Sequence, residues 1–487
     1  YNRSTFINIR GVGIAQSAPT SNPGVAFYID GQLQPHEQFL AQAFYDIGSI
    51  EVLRGPQGTL TGQNSTGGAV YVRTPDPEFD RIAGYLEQRA GNYNTFKTIG
   101  AVNIPFSENV AGRVSGTYDT RDSFGRNIAR ADVQPGKGHL LAGRFNLAMK
   151  STDDRIKANL RAEIFDGKSD NNLVKRRNDT VSTDPFVIQE DALSFQDQKG
   201  YRLSGEIRMP VIEGIDFRTL ISYQDQDTVD QTDGDRTATV LPRPPAANVG
   251  RVSIADTDYE TWIAEANLLS TGDGPFSYVL GAFYLNEDIL LDQRRDNNNT
   301  RDVITVTART YTQITNSSRS LFGQVNWYVT PQLELLGGAR HSWDKQVYDR
   351  YLINSVASPA ATLTGVQESS QWTGKLGINY HLGKTLLYAT ASRGYKAGGV
   401  NLTLNTPNFG PERNDVLEAG FKTTLLDNRL RVNADVFKSR YKDIQLSSLF
   451  NGLPLTQNAS SGKAWGAEAE VTAKFGGLGL NGGVSYL

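Results

Sequence analysis

From about residue 81 onward, apolar and polar positions alternate through one short segment after another. Val110, Gly112, Val114, Gly116 and Tyr118 share one face, opposite Ala111, Arg113, Ser115 and Thr117. Leu141, Gly143, Phe145, Leu147 and Met149 oppose Arg144, Asn146 and Lys150 in the same way. Ile156, Ala158, Leu160, Ala162 and Ile164 oppose Lys157, Asn159, Arg161 and Glu163, and Leu430, Val432, Ala434 and Val436 oppose Arg431, Asn433 and Asp435. A period of two predicts strands in a sheet with one apolar face.

The connections alternate as well. Short turns are expected at 105–108, 151–154, 212–214, 330–331, 381–384 and 427–428. Long polar stretches separate them, at about 166–199, 225–257, 290–318, 344–370, 394–413 and 443–463. A soluble sandwich keeps its loops short throughout. A transmembrane barrel has tight turns on one side and long loops on the other. The pattern predicts an all-β transmembrane β-barrel over residues 81–487, with roughly seventeen strands. No blade-length repeat argues for a propeller instead. Tyr223, Tyr259, Trp327, Tyr328, Trp343, Tyr380, Tyr388 and Trp465 sit near strand ends and are expected as interfacial girdles.

Residues 1–80 have another texture. Short apolar runs separated by Gly, Pro and Asn predict a small α/β unit, with strands at 27–29 and 50–53 and a short helix over 38–45. Thr74-Pro75-Asp76-Pro77 then predicts an extended linker. The opening has neither the charged nor the apolar region of a signal peptide, and the last residues read as the middle of a strand, so both ends are expected to be truncated.

Composition narrows the function. Lys plus Arg number 49 against 52 Asp plus Glu, a net charge of -3, whereas a nucleic-acid partner calls for a basic excess. With no cysteine, thiol catalysis, Cys-based zinc sites and disulfides drop out. His36, His139, His341 and His381 are scattered and form no metal or catalytic constellation, so no enzyme, metal site or cofactor is expected. No apolar run is long enough for a transmembrane helix, but a barrel needs none, because only alternate residues face lipid. Gly11-Val12-Gly13-Ile14-Ala15-Gln16 lacks the third glycine of a dinucleotide loop. Asn297–Asn299 with Asp292, Asp296 and Asp302 offers oxygen ligands for calcium, but a solvated extracellular loop is the expected reading.

The most specific segment is Ile50-Glu51-Val52-Leu53-Arg54-Gly55-Pro56-Gln57-Gly58-Thr59-Leu60, continued by Asn64-Ser65-Thr66-Gly67-Gly68-Ala69-Val70. It resembles the plug signature of TonB-dependent receptors of the bacterial outer membrane. Ile9-Arg10-Gly11 and Tyr28-Ile29-Asp30-Gly31 stand upstream in the matching order. Gly91-Asn92-Tyr93, Ala391–Gly399, Leu417–Lys422 and Gly466–Glu470 resemble barrel segments of the same family. Thr61 and Gln63 depart from the signature, which commonly has an aromatic and a basic residue there.

The resemblance implies a barrel of about 22 strands in complete members, with an N-terminal α/β plug inside the lumen, of which residues 1–80 here are expected to be the C-terminal part. It also implies active import of a scarce, bulky nutrient, by default a ferric siderophore, driven by TonB with ExbB and ExbD. Lipid and lipopolysaccharide would surround the barrel. A saccharide, vitamin B12 or an aromatic compound would be alternative cargo; a passive porin or a phage or bacteriocin receptor would be a different class. Arg10 and Arg54 correspond to plug arginines that pair with barrel glutamates, here Glu418 and Glu468. Gln16, Ser17, Asn22, His36 and Gln38, in the plug loops, are the candidate ligand contacts.

Overall fold

The computed structural model describes residues 6–13, 19–36, 39–40, 44–62, 64–170, 173–175, 179, 181–234, 236, 252–296, 308–354, 361–401, 406–450 and 453–487. Four strands form a first sheet: β1 (Val25–Ile29), β2 (Gln32–Leu33), β3 (Ser49–Arg54) and β4 (Gly68–Arg73), in the order β2-β1-β4-β3. β1 and β4 are parallel and the other pairs antiparallel. Asp30 and Gly31 both have positive φ, the backbone of a tight two-residue hairpin between β1 and β2. Alternation gives this sheet two distinct faces. Val25, Phe27, Ile29, Val70 and Val72 pack with Ile9 and Leu40 inside the unit. Ala26, Tyr28, Leu33 and Ala69 pack outward against Ile263, Phe283, Leu285 and Phe322 of the surrounding wall.

That wall is a barrel of seventeen strands. Its first members are β5 (Ala83–Gly91), β6 (Thr95–Ser107) and β7 (Val110–Arg121). After the two-residue β8 (Arg126–Asn127) come β9 (Gly138–Lys150) and β10 (Lys157–Asp170). After β11 (Val187–Ile188), which pairs with β8, follow β12 (Phe195–Ile212), β13 (Ile215–Asp233), β14 (Val252–Ser270) and β15 (Phe276–Asp296). Then come β16 (Ala308–Tyr328), β17 (Leu333–Asn354), β18 (Ala361–Leu382), β19 (Thr385–Lys396), β20 (Glu412–Leu425) and β21 (Leu430–Lys442). The hairpin β22 (Gln445–Phe450) and β23 (Leu453–Asn458) precedes the last wall strands, β24 (Ser461–Phe475) and β25 (Leu478–Tyr486). The wall strands pair antiparallel with continuous register, apart from a bulge at Pro105/Ser107 between β6 and β7 and one at Pro210/Ile212 between β12 and β13. β5 and β25 stand at the two ends of the paired run, and both strands are exposed along almost their whole length.

The expected faces are the observed ones. Leu141, Phe145, Leu160, Ile164, Val114 and Val436 are exposed on the outside, while Arg144, Asn146, Glu163 and Ser115 are buried in the lumen. Apolar-out and polar-in is the inverse of a soluble protein and the arrangement a bilayer requires. Phe276 stacks on Trp327 beside the short turns, at a centroid distance of 5.8 Å. Tyr223 and Trp262, 4.7 Å apart, and the exposed Trp343 and Trp372 lie higher on their strands. About ten residues separate the two aromatic levels, which spans the ~25 Å apolar band of such a barrel once the strands tilt.

Three expectations are corrected. Tyr259 and Tyr388 are not girdle residues: strand parity turns both into the lumen, where Tyr259 is buried and Tyr388 donates to Glu418. Much of the stretches 225–257, 290–318 and 344–370 is strand rather than loop, since β13 runs to Asp233, β15 to Asp296 and β17 to Asn354. Beyond the membrane both faces of a strand are polar, so the alternation disappears while the hydrogen-bonded ladder continues. In the expected helix over 38–45, Phe39 is 3-10 helical and Leu40 sits in a bend, but Phe44 and Tyr45 are non-helical, so no helix reaches 45; 38 and 41–43 lie outside the described residues.

Candidate functional site

Two places join plug to wall in a way that bears on function. The first is the plug loop that carries Ile9-Arg10-Gly11. Arg10 has a left-handed backbone (φ 52), as does Gly11 after it (φ 78), and a short bridge between Ile9 and Val12 closes the turn. This tight reversal aims the Arg10 side chain at β20, β21 and β24. The guanidinium donates from Nη1 to Glu418 at 2.8 Å, from Nη2 to Asp435 at 2.9 Å, and from Nε and Nη2 to both oxygens of Glu468 at 3.0 Å. Its flat face lies 3.7 Å above the Phe437 ring. Each guanidinium nitrogen thus donates to a carboxylate, a forked geometry at which Arg surpasses Lys. Burial alone would depress the Arg10 pKa; its hydrogen bonds to Glu468 and Glu418 outweigh this and hold it above the ordinary value.

Arg54 joins the same cluster from the end of β3. It donates to Glu468 at 3.1 Å and also contacts Glu470. Its side chain is 42% exposed against 7% for Arg10. An ion pair that open is worth about 0–1 kcal/mol, whereas removing one partner of a buried pair costs about 3–5 kcal/mol. Arg10 is therefore the dominant contact and Arg54 an accessory to it.

The structure thus brings together all four of Arg10, Arg54, Glu418 and Glu468. Sequence reasoning missed Asp435, Glu470, Phe437 and Tyr388. The register held a signal for two of them: Asp435 lies directly across from Glu468, and Phe437 across from Glu418.

The second place is higher in the lumen. A cleft opens between the plug loops around Asn22 and His36 and the inner faces of β15, β16 and β17, with Asn64, Glu287, Asn316 and Asp344 among its walls. His36 Nε2 lies 2.9 Å from Glu287 Oε1, and its ring packs at 4.5 Å against Tyr259. Asn316 and Thr261 also donate to Glu287, at 2.8 and 3.2 Å. Asn22 donates to the Ala397 carbonyl at 3.2 Å and accepts from Asn64 at 3.2 Å. Of the expected ligand contacts, Asn22 and His36 line the cleft, whereas Gln16, Ser17 and Gln38 lie outside the described residues. The calcium alternative at Asn297–Asn299 and Asp302 lies outside them too.

Between cleft and latch, the wall presses on the plug signature itself. Arg340 of β17 is almost fully buried, lies 5.2 and 4.9 Å over Phe283 and Phe322, and donates to the Leu60 carbonyl at 3.4 Å. A Cβ at Gly62 would meet this guanidinium at 2.6 Å and displace it, and the φ of +87 favours glycine there in its own right. Thr61, one of the departures from the family signature, is buried, and its carbonyl accepts a hydrogen bond from Tyr28 at 2.5 Å.

A lumen filled by a separate sheet, wired to the wall by charges and topped by a polar cleft, defines a plugged outer-membrane barrel. Residues 142–487 match the family described as "TonB dependent receptor-like, beta-barrel", and residues 1–69 match "TonB-dependent Receptor Plug Domain". The chain belongs to the TonB-dependent receptors of the outer membrane. It is 24% identical over 486 residues to the pesticin receptor of Yersinia enterocolitica, covering 96% of this chain and 67% of that one. Its fold is similar to the ferric yersiniabactin uptake receptor FyuA from Yersinia pestis, with a TM-score of 0.81 at 19% identity over 100% of this chain and 74% of that one. The siderophore receptor PiuA from Acinetobacter baumannii gives a TM-score of 0.71 at 15% identity, covering 99% and 75%.

Proposed function

We propose that this protein imports a ferric siderophore, with the plug as the moving part. The observation that carries the reading is the vertical order of the two sites. The cleft at Asn22 and His36 faces the ends of the long outer strands, and the Arg10 cluster lies nearer the short periplasmic turns. Ligand held in the cleft touches plug and wall together, so its binding free energy can bias the plug's position, which is what coupling between two sites requires. TonB, energised through ExbB and ExbD, would supply the pull from the periplasm. The Arg10 latch is suited to release under such a pull. Its charge-assisted bonds hold firmly at rest, yet all converge on one guanidinium and can be lost in one event. The similarity to receptors whose names specify ferric siderophores supports this cargo over a saccharide or vitamin B12. A plug sheet packed against the wall supports gated import over a passive porin. Residues 1–80 are the plug in this reading and 81–487 the barrel.

The test is uptake of iron-55 and growth under iron limitation by the source bacterium, with and without the full-length gene. A defect confined to low iron is the expected result. A defect that appears only on particular carbon sources would keep the transporter and replace its cargo.

A further inference from the structure

Another part of the lumen wall, on β5 to β12, carries a second charged cluster, built with its signs exchanged. Tyr45 and Asp46, adjacent in the plug, reach β7, β9 and β10. Asp46 accepts from Arg113 of β7 at 2.8 and 2.5 Å and from Tyr85 of β5 at 3.1 Å. Its side chain is only 3% exposed. Tyr45 donates to Glu163 of β10 at 2.9 Å, and its ring lies 4.4 Å beneath the Arg144 guanidinium of β9. Burial and the Glu163 carboxylate push the Tyr45 phenol well above its usual pKa, so it stays a donor. Glu163 is itself held by Arg144 at 2.9 Å and Arg202 at 2.8 Å, and Arg202 donates to Gln34 of the plug at 2.8 Å. At the latch the plug brings the cations and the wall the carboxylates; here the plug brings the carboxylate and the wall the arginines.

This second contact is also tied to the cleft. Phe39, between His36 and Tyr45 in the chain, packs at 5.4 Å on Tyr259, the residue against which His36 lies. Phe39, Tyr45, Phe165 and Tyr259 belong to one buried cluster. His36 and Asp46 are thus each fastened to the wall, to Glu287 and to Arg113.

We propose that Tyr45 and Asp46 form a second lock, of reversed polarity, that fixes the rotation of the plug and so positions His36 in the cleft. Two sites of opposite sign on separate parts of the wall admit one orientation, because turning the plug sets like charges against each other. Tyr45, Asp46 and Arg113 are positioning residues in this account. Its consequence for cargo rests on the cleft being the ligand site.

The test uses the full-length receptor in outer-membrane vesicles, spin-labelled at Ser21→Cys and Ser369→Cys on the two sides of the cleft. Electron-resonance distances should be narrow in the parent and broadened in Asp46→Asn and in Arg113→Gln. Asn tolerates the left-handed backbone at position 46, where φ is 48, so the change removes charge rather than fold. The double variant should be no broader than either single one, since both remove the same contact. An unchanged distribution in Asp46→Asn overturns the lock, whatever the cargo. In parallel, Asp46→Asn should raise the half-saturation concentration for iron-55 ferric siderophore, purified from the bacterium's own iron-limited medium, by about fivefold or more. Broadened distances with unaltered half-saturation overturn the positioning of the cleft. A parent that takes up no such chelate overturns the cargo reading, while the distances still decide the lock.

Discussion

The two sides of the lumen solve one problem with opposite charges. On the β20–β24 side a single plug guanidinium gathers Glu418, Asp435 and Glu468. On the β7–β12 side wall arginines gather around Glu163 and Asp46. The difference lies in what each side leaves behind when opened. Withdrawing Arg10 exposes three wall carboxylates that repel one another and favour entry of water. Withdrawing Tyr45 leaves Glu163 still paired with Arg144 and Arg202, so that wall keeps its internal order. In the import cycle proposed above, one side would come apart at a stroke and the other would serve as a template to which the plug returns.

Removing the centre of either cluster is the sharpest way to break this comparison. Arg10→Gln should weaken plug docking by about 3–5 kcal/mol, because three partly buried carboxylates lose their shared cation. Hydrogen exchange across β1 and β4 should report it as lost protection. Glu163→Gln comes next, at about 2–4 kcal/mol, since Arg144 and Arg202 both lose their counter-charge. Its signature is different: the barrel itself should show a lower unfolding temperature in detergent. Glu418→Gln with Glu468→Gln should loosen the plug by about 1–3 kcal/mol while Asp435 still holds Arg10, read again as plug exchange. Arg54→Gln should cost under about 1 kcal/mol, given its exposure. If Arg54→Gln proved as damaging as Arg10→Gln, the ranking by burial would be wrong.

How much of this was legible beforehand follows from which forces write themselves into a sequence. Lipid writes a period of two, and the strands from Val110, Leu141, Ile156 and Leu430 were all readable from it. The polar extensions of β13 to β18 were not, because their pairing rests on backbone hydrogen bonds that any polar residue can make. Arg10 and Arg54 with Glu418 and Glu468 were legible only through resemblance to a family, since a charge on a lumen face looks like any other. Asp435 needed the register of β21 against β24. The second cluster was beyond reach: Tyr45, Asp46, Arg113, Glu163 and Arg202 are scattered over the plug and three separate wall strands, and nothing local to any of them signals the meeting. His36 and Asn22 were found as loop polar groups, but that His36 faces Glu287 depends on where the plug sits.

The claim beneath all of this is that the plug must part from the wall at the Arg10 latch for cargo to pass. This stretch of chain has no cysteine, so Arg10→Cys and Glu468→Cys can be joined across that contact by a reducible bis-methanethiosulfonate spacer, long enough to replace the two side chains that now meet there. Iron-55 uptake would be measured in cells before and after reduction, against each single cysteine. Uptake blocked when the bridge is closed and restored on reduction is the expected result. Uptake that continues with the bridge shown to be closed would contradict the account, since cargo would then cross without releasing the plug there.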